Sequence, residues 1–265
     1  MRTSRVFLAA AAASLLLLTG CASGDQAPGA SSDPSVSVGP ELTGELTVYA
    51  AASLGAAFDD IAAAFEAENP SLTVVPIRYD GSSTLATQII EGAQVDVFAS
   101  ADEKNMAKVT GEGLASGPEL FASNTLVVAT PAGNPADITT LAGLADPGAT
   151  IVLCAVEVPC GAASATLLEQ QGVTVTPASL EQNVTAVLTK VANDEADAGL
   201  VYATDVVGNA DVESFVPDGA DEVVNHYPVV ALTGAPNPEA AAAFVAFVLG
   251  EKGQSILAEY GFGTP

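Results

Sequence analysis

The chain has 265 residues and a formal net charge of −25 at pH 7, with seven Lys and Arg against 32 Asp and Glu. Nucleic acids and anionic lipid surfaces are bound by clustered Lys and Arg, so this composition excludes both as ligands. The roughly 220 residues that follow Gly44 are enough to bury a sizeable core, as one large domain or as two small lobes.

Residues 1–20 have the pattern of a secretory signal peptide. Two arginines form a basic head, and an almost entirely apolar run follows from Val6 to Leu18. That run is shorter than the ~20 residues that span a bilayer, so a transmembrane anchor is the less favoured alternative. Residues 18–21 (LTGC) resemble the lipobox of bacterial lipoproteins. We therefore expect Cys21 to be lipidated and to become the mature N-terminus.

Residues 21–44 predict a flexible tether, because they are rich in Gly, Ser, Pro and Ala and lack apolar periodicity. With Cys21 assigned to lipid, Cys154 and Cys160 form an even pair in an exported chain. Such a pair favours a disulfide over a metal site. A zinc site would need further Cys or His nearby, and the chain has a single histidine, His226.

Strand-like and helix-like runs alternate along the rest of the chain. Apolar and β-branched runs predict strands at residues 46–50, 72–79, 95–98, 122–129, 151–155, 198–202 and 226–232. Helical spacing of apolar residues predicts helices at residues 54–68, 85–90, 161–171, 183–193 and 238–260, the last with a break near Gly250. This alternation predicts an α/β fold whose parallel sheets carry helices on both faces.

Two extended, Val-rich segments are candidates for crossings between lobes. Residues 124–130 would lead out of the first lobe and residues 227–232 would lead back. Their pairing predicts a two-stranded hinge. The first lobe would comprise residues 45–126 and 229–265, and the second lobe residues 127–228.

Four strand-to-helix junctions have a composition that suits an anion. They are residues 51–54 (AASL), 81–84 (GSST), 159–161 (PCG) and 183–184 (NV). Ligands of open α/β sheets bind at the carboxyl ends of the strands, and helix N-termini offer unpaired N–H groups and about half a positive charge. Serine is also a common N-cap, so any one junction is better explained by capping, and we expect serine N-caps on the first two helices. The four junctions together predict a small anionic ligand.

From Glu45 onward the chain resembles the periplasmic molybdate-binding proteins that serve ABC importers. The matching motifs follow one order through the whole mature domain: residues 47–54 (TVYAAASL), 81–89 (GSSTLATQI), 92–102 (GAQVDVFASAD), 124–128 (NTLVV), 158–161 (VPCG), 198–202 (AGLVY) and 260–262 (YGF). The resemblance implies a two-lobed periplasmic-binding-protein fold of type II. In that fold each lobe is a mixed, mostly parallel sheet flanked by helices.

The resemblance also implies an oxyanion site between the lobes, built from hydroxyls and backbone N–H groups alone. Carried over by motif, Ser53 and Ser82 of the first lobe offer hydroxyl and backbone donors. In the second lobe, Cys160 and Val184 offer backbone N–H groups and Tyr202 offers its phenol. The family commonly has alanine at the position of Cys160. Because the donor there is the backbone N–H, the side-chain change leaves it in place.

A site made only of donors suits an ion that is fully deprotonated at neutral pH, as molybdate, tungstate and sulfate are. Hydrogen bonds to a charged partner contribute roughly 1.5–3 kcal/mol each, so several of them can hold an anion without Lys or Arg. We therefore expect a protein that captures molybdate or tungstate, without ranking the two, and delivers it to the permease of an ABC importer. The alternative is a binder of sulfate or another small ligand on the same fold.

Other classes of function find less support in the sequence. A hydrolase with Ser53 or Ser82 as nucleophile lacks a partner base and a Gly-x-Ser-x-Gly elbow. A purely structural surface lipoprotein is the remaining alternative, and we expect Asp96 and Asp102 to be structural. We expect no enzymatic activity, no cofactor, no direct ligands to a metal cation and no nucleic-acid partner. The predicted protein is an extracytoplasmic monomer, attached to the cell membrane only through lipid on Cys21.

Overall fold

The computed structural model describes residues 41–265. The predicted signal peptide, Cys21 and most of the predicted tether lie outside the described residues. The end of the tether differs from the expectation, because the first strand already begins at Gly44. The carbonyl of Thr43 accepts a hydrogen bond from the side-chain amide of Asn237 at 2.9 Å, so the last residues of the predicted tether are held against the folded domain.

The described residues form twelve strands and seven α-helices. The strands are β1 (Gly44–Leu46), β2 (Val48–Ala51), β3 (Leu72–Val74), β4 (Arg78–Asp80), β5 (Val97–Ala99), β6 (Glu119–Asn124), β7 (Leu126–Pro131), β8 (Ile151–Cys154), β9 (Ser179–Glu181), β10 (Ala198–Tyr202), β11 (Val212–Phe215) and β12 (Asn225–Ala231). The helices are α1 (Gly55–Glu68), α2 (Ser82–Ile90), α3 (Glu103–Gly111), α4 (Pro159–Gln170), α5 (Val184–Ala192), α6 (Pro238–Leu249) and α7 (Glu251–Glu259).

Two five-stranded sheets form the centres of two lobes. The first has the order β4-β2-β5-β12-β6, in which β2 is parallel to β4 and β5 and β12 is antiparallel to both of its neighbours. The second has the order β11-β7-β10-β8-β9, in which β8 is parallel to β9 and β10 and β7 is antiparallel to β10 and β11. These mixed sheets flanked by helices confirm the predicted α/β fold class.

Side chains alternate across the first sheet and fill a core on each face, as the pleat requires. Val97 and Ala99 of β5 pack in one core with residues of α1, α6 and α7. Phe98, between them, packs in the other core with residues of α2 and α3. Burial on both faces explains why β5 is an unbroken apolar run.

The chain crosses between the two sheets at Thr125, which separates β6 from β7. The strand predicted at residues 122–129 is therefore two strands in different sheets. On the way back β12 begins at Asn225, paired with Asn124. The sequence-based boundaries at residues 126 and 229 thus lie a few residues from these breaks. The last residues that they assign to the second lobe pair in the first sheet.

Two further differences from the sequence-based elements have local causes. The strand predicted at residues 72–79 is interrupted at 75–77, where Pro76 cannot donate a ladder hydrogen bond. Helix α3 was missed because only Asn105, Met106 and Val109 of its nine residues are buried, which leaves little apolar periodicity. The predicted break near Gly250 is confirmed, since α6 and α7 meet there with a bend of 58°.

Among the described residues no single helix has the length and hydropathy of a membrane span. Helices α6 and α7 reach that length and hydropathy only when taken together, as a bent pair. In this fold the apolar side chains of α6, among them Phe244 and Val248, are buried in the core of the first lobe.

Candidate functional site

The five residues predicted to bind an oxyanion line one small cavity between the lobes. Ser53 and Ser82 enter it from the first lobe, and Cys160, Val184 and Tyr202 from the second. Its volume is about 10 Å³, far below the ~300–1,000 Å³ of pockets for organic ligands. Among the described residues no Lys, Arg or His lines it. The cavity is therefore too small for an organic ligand, and its donors are uncharged.

Three helices begin at this cavity, one from the first lobe and two from the second. Ser82 is the first residue of α2, Cys160 the second of α4 and Val184 the first of α5. Backbone N–H groups in the first turn of a helix have no intrahelical acceptor. Each helix also carries about half a positive charge at its N-terminus. The three ends together supply N–H donors and a positive potential, which is the arrangement that binds anions.

Ser82 does not cap its helix, contrary to expectation. The N-cap of α2 is Gly81, and no side chain caps that end. Instead, the Ser82 hydroxyl accepts a hydrogen bond of 2.9 Å from the backbone N–H of Ala101, which also lines the cavity. Because the Ser82 oxygen already accepts, its own proton remains available to an acceptor in the cavity.

Ser53 also differs from the expected N-cap. It lies in a short 3₁₀ helix, Ala52–Leu54, that precedes α1, and the N-cap of α1 is Leu54. Its hydroxyl oxygen is 3.0 Å from the phenolic oxygen of Tyr227 on β12. This contact holds the Ser53 side chain at the wall of the cavity rather than against its own helix.

Tyr202, the last residue of β10, is buried with 1% of its surface exposed. Its hydroxyl has no hydrogen-bond partner among the described residues. Burial, reinforced by Tyr227 and Asp205, raises the pKa of Tyr202 well above its usual range, so the phenol stays protonated. A buried donor without an acceptor costs about 1–3 kcal/mol and calls for an explanation. An anion in the cavity that Tyr202 lines would provide the acceptor.

A disulfide joins Cys154 to Cys160, as the sequence predicts, with 5.8 Å between their Cα atoms. It links the carboxyl end of β8 to the first turn of α4. The chain is tightly folded around this disulfide, since a Cβ on Gly161, the residue after Cys160, would lie 1.9 Å from the carbonyl oxygen of Ala155. The disulfide therefore holds the Cys160 N–H in a fixed position at the cavity. No three His, Cys, Asp or Glu of the described part of the chain are placed to hold a metal cation.

Sequence reasoning missed a direct contact between the lobes at the cavity. Oδ1 of Asp80 accepts hydrogen bonds from the Gly81 N–H at 2.8 Å and from Nδ2 of Asn183 at 3.1 Å. Oδ1 of Asn183 caps α5 by accepting from Ala186. A Cβ on Gly81 would lie 2.1 Å from the Gln182 carbonyl oxygen. Asp80 lines the cavity, so one carboxylate lies beside the predicted donors. The only sequence signal was its place between a strand and the Gly81 motif.

The two other candidate carboxylates are structural, as predicted. Asp102 caps α3 by accepting from the N–H of Asn105 at 2.8 Å. Asp96 accepts from the backbone N–H groups of Thr47 and Asn237 and so ties β2 and α6 to the start of β5. Neither lines the cavity.

Comparison with known proteins gives consistent matches along almost the whole described chain. Residues 46–263 match the family model for bacterial extracellular solute-binding proteins. The molybdate-binding protein ModA of Mycobacterium tuberculosis is 42% identical over 241 residues, which cover 89% of this chain and 92% of that protein.

Two solved structures share the fold. The periplasmic molybdate-binding protein of Azotobacter vinelandii aligns with a TM-score of 0.73 at 22% identity, over 83% of this chain and 99% of that one. The sulfate-binding protein SubI from Mycobacterium tuberculosis aligns with a TM-score of 0.71 at 16% identity, over 82% of this chain and 86% of that one. At these identities the likeness concerns the fold alone.

Proposed function

We propose that this chain, which belongs to the bacterial extracellular solute-binding protein family, captures molybdate or tungstate between its lobes and delivers the ion to an ABC importer. The observation that carries the proposal is the cavity, where three helix N-termini meet the hydroxyls of Ser53, Ser82 and Tyr202. The 42% identical relative, itself a molybdate-binding protein, supports the choice of ion.

Capture in this proposal has two stages, because the donors are divided between the lobes. Ser53 and Ser82 engage the ion first, and rotation at the crossings near Thr125 and Asn225 then brings in the donors of the second lobe. The Asp80–Asn183 hydrogen bond forms across the cleft as it closes. Charge-assisted hydrogen bonds contribute roughly 1.5–3 kcal/mol each, from which the free energy of ordering the lobes is subtracted.

The proposal assigns Tyr202 a central part. Its buried hydroxyl has no hydrogen-bond partner among the described residues, so an anion in the cavity would give it an acceptor. Catalysis and a cofactor form no part of the proposal. Ser53 and Ser82 have no histidine or lysine beside them at the cavity to act as a base, and the transported ion is the ligand.

We propose that the protein is an extracytoplasmic monomer held at the membrane by lipid on Cys21. There it would bind the permease of the importer. The family is extracellular, and the LTGC motif supports the anchor. Replacing Cys21 with Ser should move the protein from the membrane fraction into the medium of the cells. Retention of the variant in the membrane would exclude this anchor.

Calorimetric titration of the purified protein tests the choice of ion. Molybdate and tungstate should bind with similar affinity, because they differ little in size and carry the same charge. Sulfate should bind more weakly, because a cavity sized for the larger ions cannot bring every donor within hydrogen-bond distance of the smaller one. Equal affinity for sulfate and molybdate would favour a general oxyanion binder, and no binding of any oxyanion would refute the proposal.

A further inference from the structure

We infer that Tyr227, supported by Asn124, is a positioning residue that makes Ser53 donate its proton toward the bound oxyanion. Neither Tyr227 nor Asn124 lines the cavity. The inference rests on the proposed function and adds to it two residues that act through Ser53.

The side-chain amide of Asn124 has a fixed orientation. Its Oδ1 accepts a hydrogen bond of 3.0 Å from the backbone N–H of Thr125, so its Nδ2 must point the other way. That nitrogen lies 2.7 Å from Oγ1 of Thr204 and 3.5 Å from the phenolic oxygen of Tyr227. An amide nitrogen only donates, so Tyr227 is the acceptor of this longer contact.

The direction of the next hydrogen bond follows from this. Tyr227 is fully buried, and burial raises the pKa of Tyr227 above its usual range, so the phenol keeps its proton. Since Asn124 donates to the phenolic oxygen, the Tyr227 proton is directed to Ser53, whose oxygen is 3.0 Å away. Ser53 then has its own proton to give to the cavity. In the reverse direction Ser53 would turn an oxygen lone pair toward an anion and repel it.

The ring of Tyr227 is placed independently of its hydroxyl. It makes edge contacts with the rings of Phe121, Tyr202 and Phe262, with centroids 5.6–6.2 Å apart. Tyr227→Phe therefore keeps the aromatic packing and removes only the oxygen. Tyr260→Phe is the matched control, because the Tyr260 hydroxyl contacts Asp60 at the surface, away from the cavity.

The test is a double-mutant cycle on molybdate affinity with Tyr227→Phe, Ser53→Ala and the double variant, alongside thermal unfolding of each ligand-free protein. Tyr227→Phe should weaken binding about 3- to 10-fold, the worth of one neutral hydrogen bond. In the Ser53→Ala background the same change should have less than about a 2-fold effect, because its route to the ion is gone. Asn124→Ala, which removes the donated N–H and keeps the tyrosine, should also weaken binding, and Tyr260→Phe should leave it unchanged.

The outcomes separate this inference from the function on which it rests. If the unaltered protein binds no oxyanion, the proposed function fails and the inference fails with it. If the unaltered protein binds molybdate and Tyr227→Phe binds equally well, the positioning role alone is wrong. Losses for Tyr227→Phe and Ser53→Ala that multiply in the double variant would also contradict it, because they would show that Tyr227 does not act through Ser53.

Discussion

At the scale of single residues, the cavity binds through groups that carry no formal charge. Hydroxyls such as that of Ser82 and first-turn N–H groups such as that of Cys160 need no counter-charge in the empty protein. Lys or Arg in the same place would have to be desolvated when the lobes close. In the empty protein the free-energy penalty is instead that of a buried hydroxyl without an acceptor. The hydroxyl of Tyr202 has no partner among the described residues.

Tyr202→Phe tests whether this hydroxyl destabilises the empty protein and binds the ion, because the substitution should change stability and binding in opposite directions. Removing a buried hydroxyl that has no acceptor should leave the ligand-free protein as stable or more stable. Loss of one charge-assisted hydrogen bond should weaken molybdate binding by roughly 1.5–3 kcal/mol. Thermal unfolding and calorimetry measure the two effects. Ser83→Ala is the control, since its hydroxyl is also buried without a partner in the described part of the chain but does not line the cavity. Unchanged affinity in Tyr202→Phe would remove this residue from the site.

The carboxyl of Asp205, in the 3₁₀ turn after Tyr202, should make the stability of the protein depend on pH. Burial raises the pKa of Asp205 to about 7, although the Tyr202 N–H, 2.8 Å from its carboxylate, acts in the opposite direction. The folded protein thus holds a proton that the unfolded chain, with a pKa of ~3.9 there, releases earlier. The contribution of Asp205 to the free energy of unfolding should be greatest below about pH 4 and should fall as the pH rises toward 7.

Chemical unfolding between pH 4 and 8 checks this dependence. Asp205→Asn should flatten the decline in the free energy of unfolding, because its amide does not titrate. Asp218→Asn removes the same charge at an exposed position and should leave the slope as it is. The same slope in the Asp205→Asn variant would show that this carboxyl does not titrate in the window.

At the scale of secondary-structure elements, the close approach of two helix N-termini across the cleft depends on Gly81. Its backbone has φ −60° and ψ 135°, which alanine adopts readily. Space is the constraint, since an added Cβ would lie 2.1 Å from the Gln182 carbonyl oxygen in the other lobe. Gly81→Ala should therefore hold the lobes apart and weaken molybdate binding at least about tenfold while the stability of each lobe changes little.

Calorimetry and small-angle scattering with and without molybdate would detect this effect. Gly55→Ala is the matched control, because a Cβ there meets nothing within 4 Å. Compaction and affinity that match the unaltered protein in Gly81→Ala would show that the contact with Gln182 is not needed for closure.

The disulfide belongs to the same scale, since it joins β8 to α4. Replacing both Cys154 and Cys160 with Ala should lower the free energy of unfolding by roughly 2–3 kcal/mol, through loss of a short covalent loop. Binding should persist with a modest loss of affinity, because the donor at residue 160 is a backbone N–H. Abolished binding in a folded double variant would mean that the sulfur atoms themselves are needed at the site.

The sequence predicted the cavity residues better than the contacts around them. Motifs identified five of the residues that line the cavity. Four of them lie at strand-to-helix junctions, whose place at the carboxyl ends of the strands is set by the topology, and Tyr202 came from the resemblance to the molybdate-binding proteins. The Asp80–Asn183 contact joins residues 103 positions apart in different lobes, and nothing local marks it. The break at Thr125 lies inside the strand predicted at residues 122–129, because both halves are extended and only their pairing assigns them to different sheets.

At the scale of the whole molecule, the charge opposes the proposed ligand. A net charge of −25 creates a negative potential around the protein. This potential repels an anion and slows its association. Binding must then depend on donors a few ångströms from the ion, where helix termini and hydroxyls outweigh distant carboxylates. A cavity between two lobes suits this, because closure of the lobes would exclude water and strengthen each of those interactions.

We propose that this one cavity holds the ion. Anomalous diffraction at the molybdenum edge from crystals of the protein grown with molybdate tests it most directly. We expect one anomalous peak in the cavity, with the oxygens of the ion within ~2.7–3.2 Å of the N–H groups of Ser82, Cys160 and Val184 and near the hydroxyls of Ser53 and Tyr202. A peak elsewhere, or an empty cavity in protein saturated with molybdate, would contradict it.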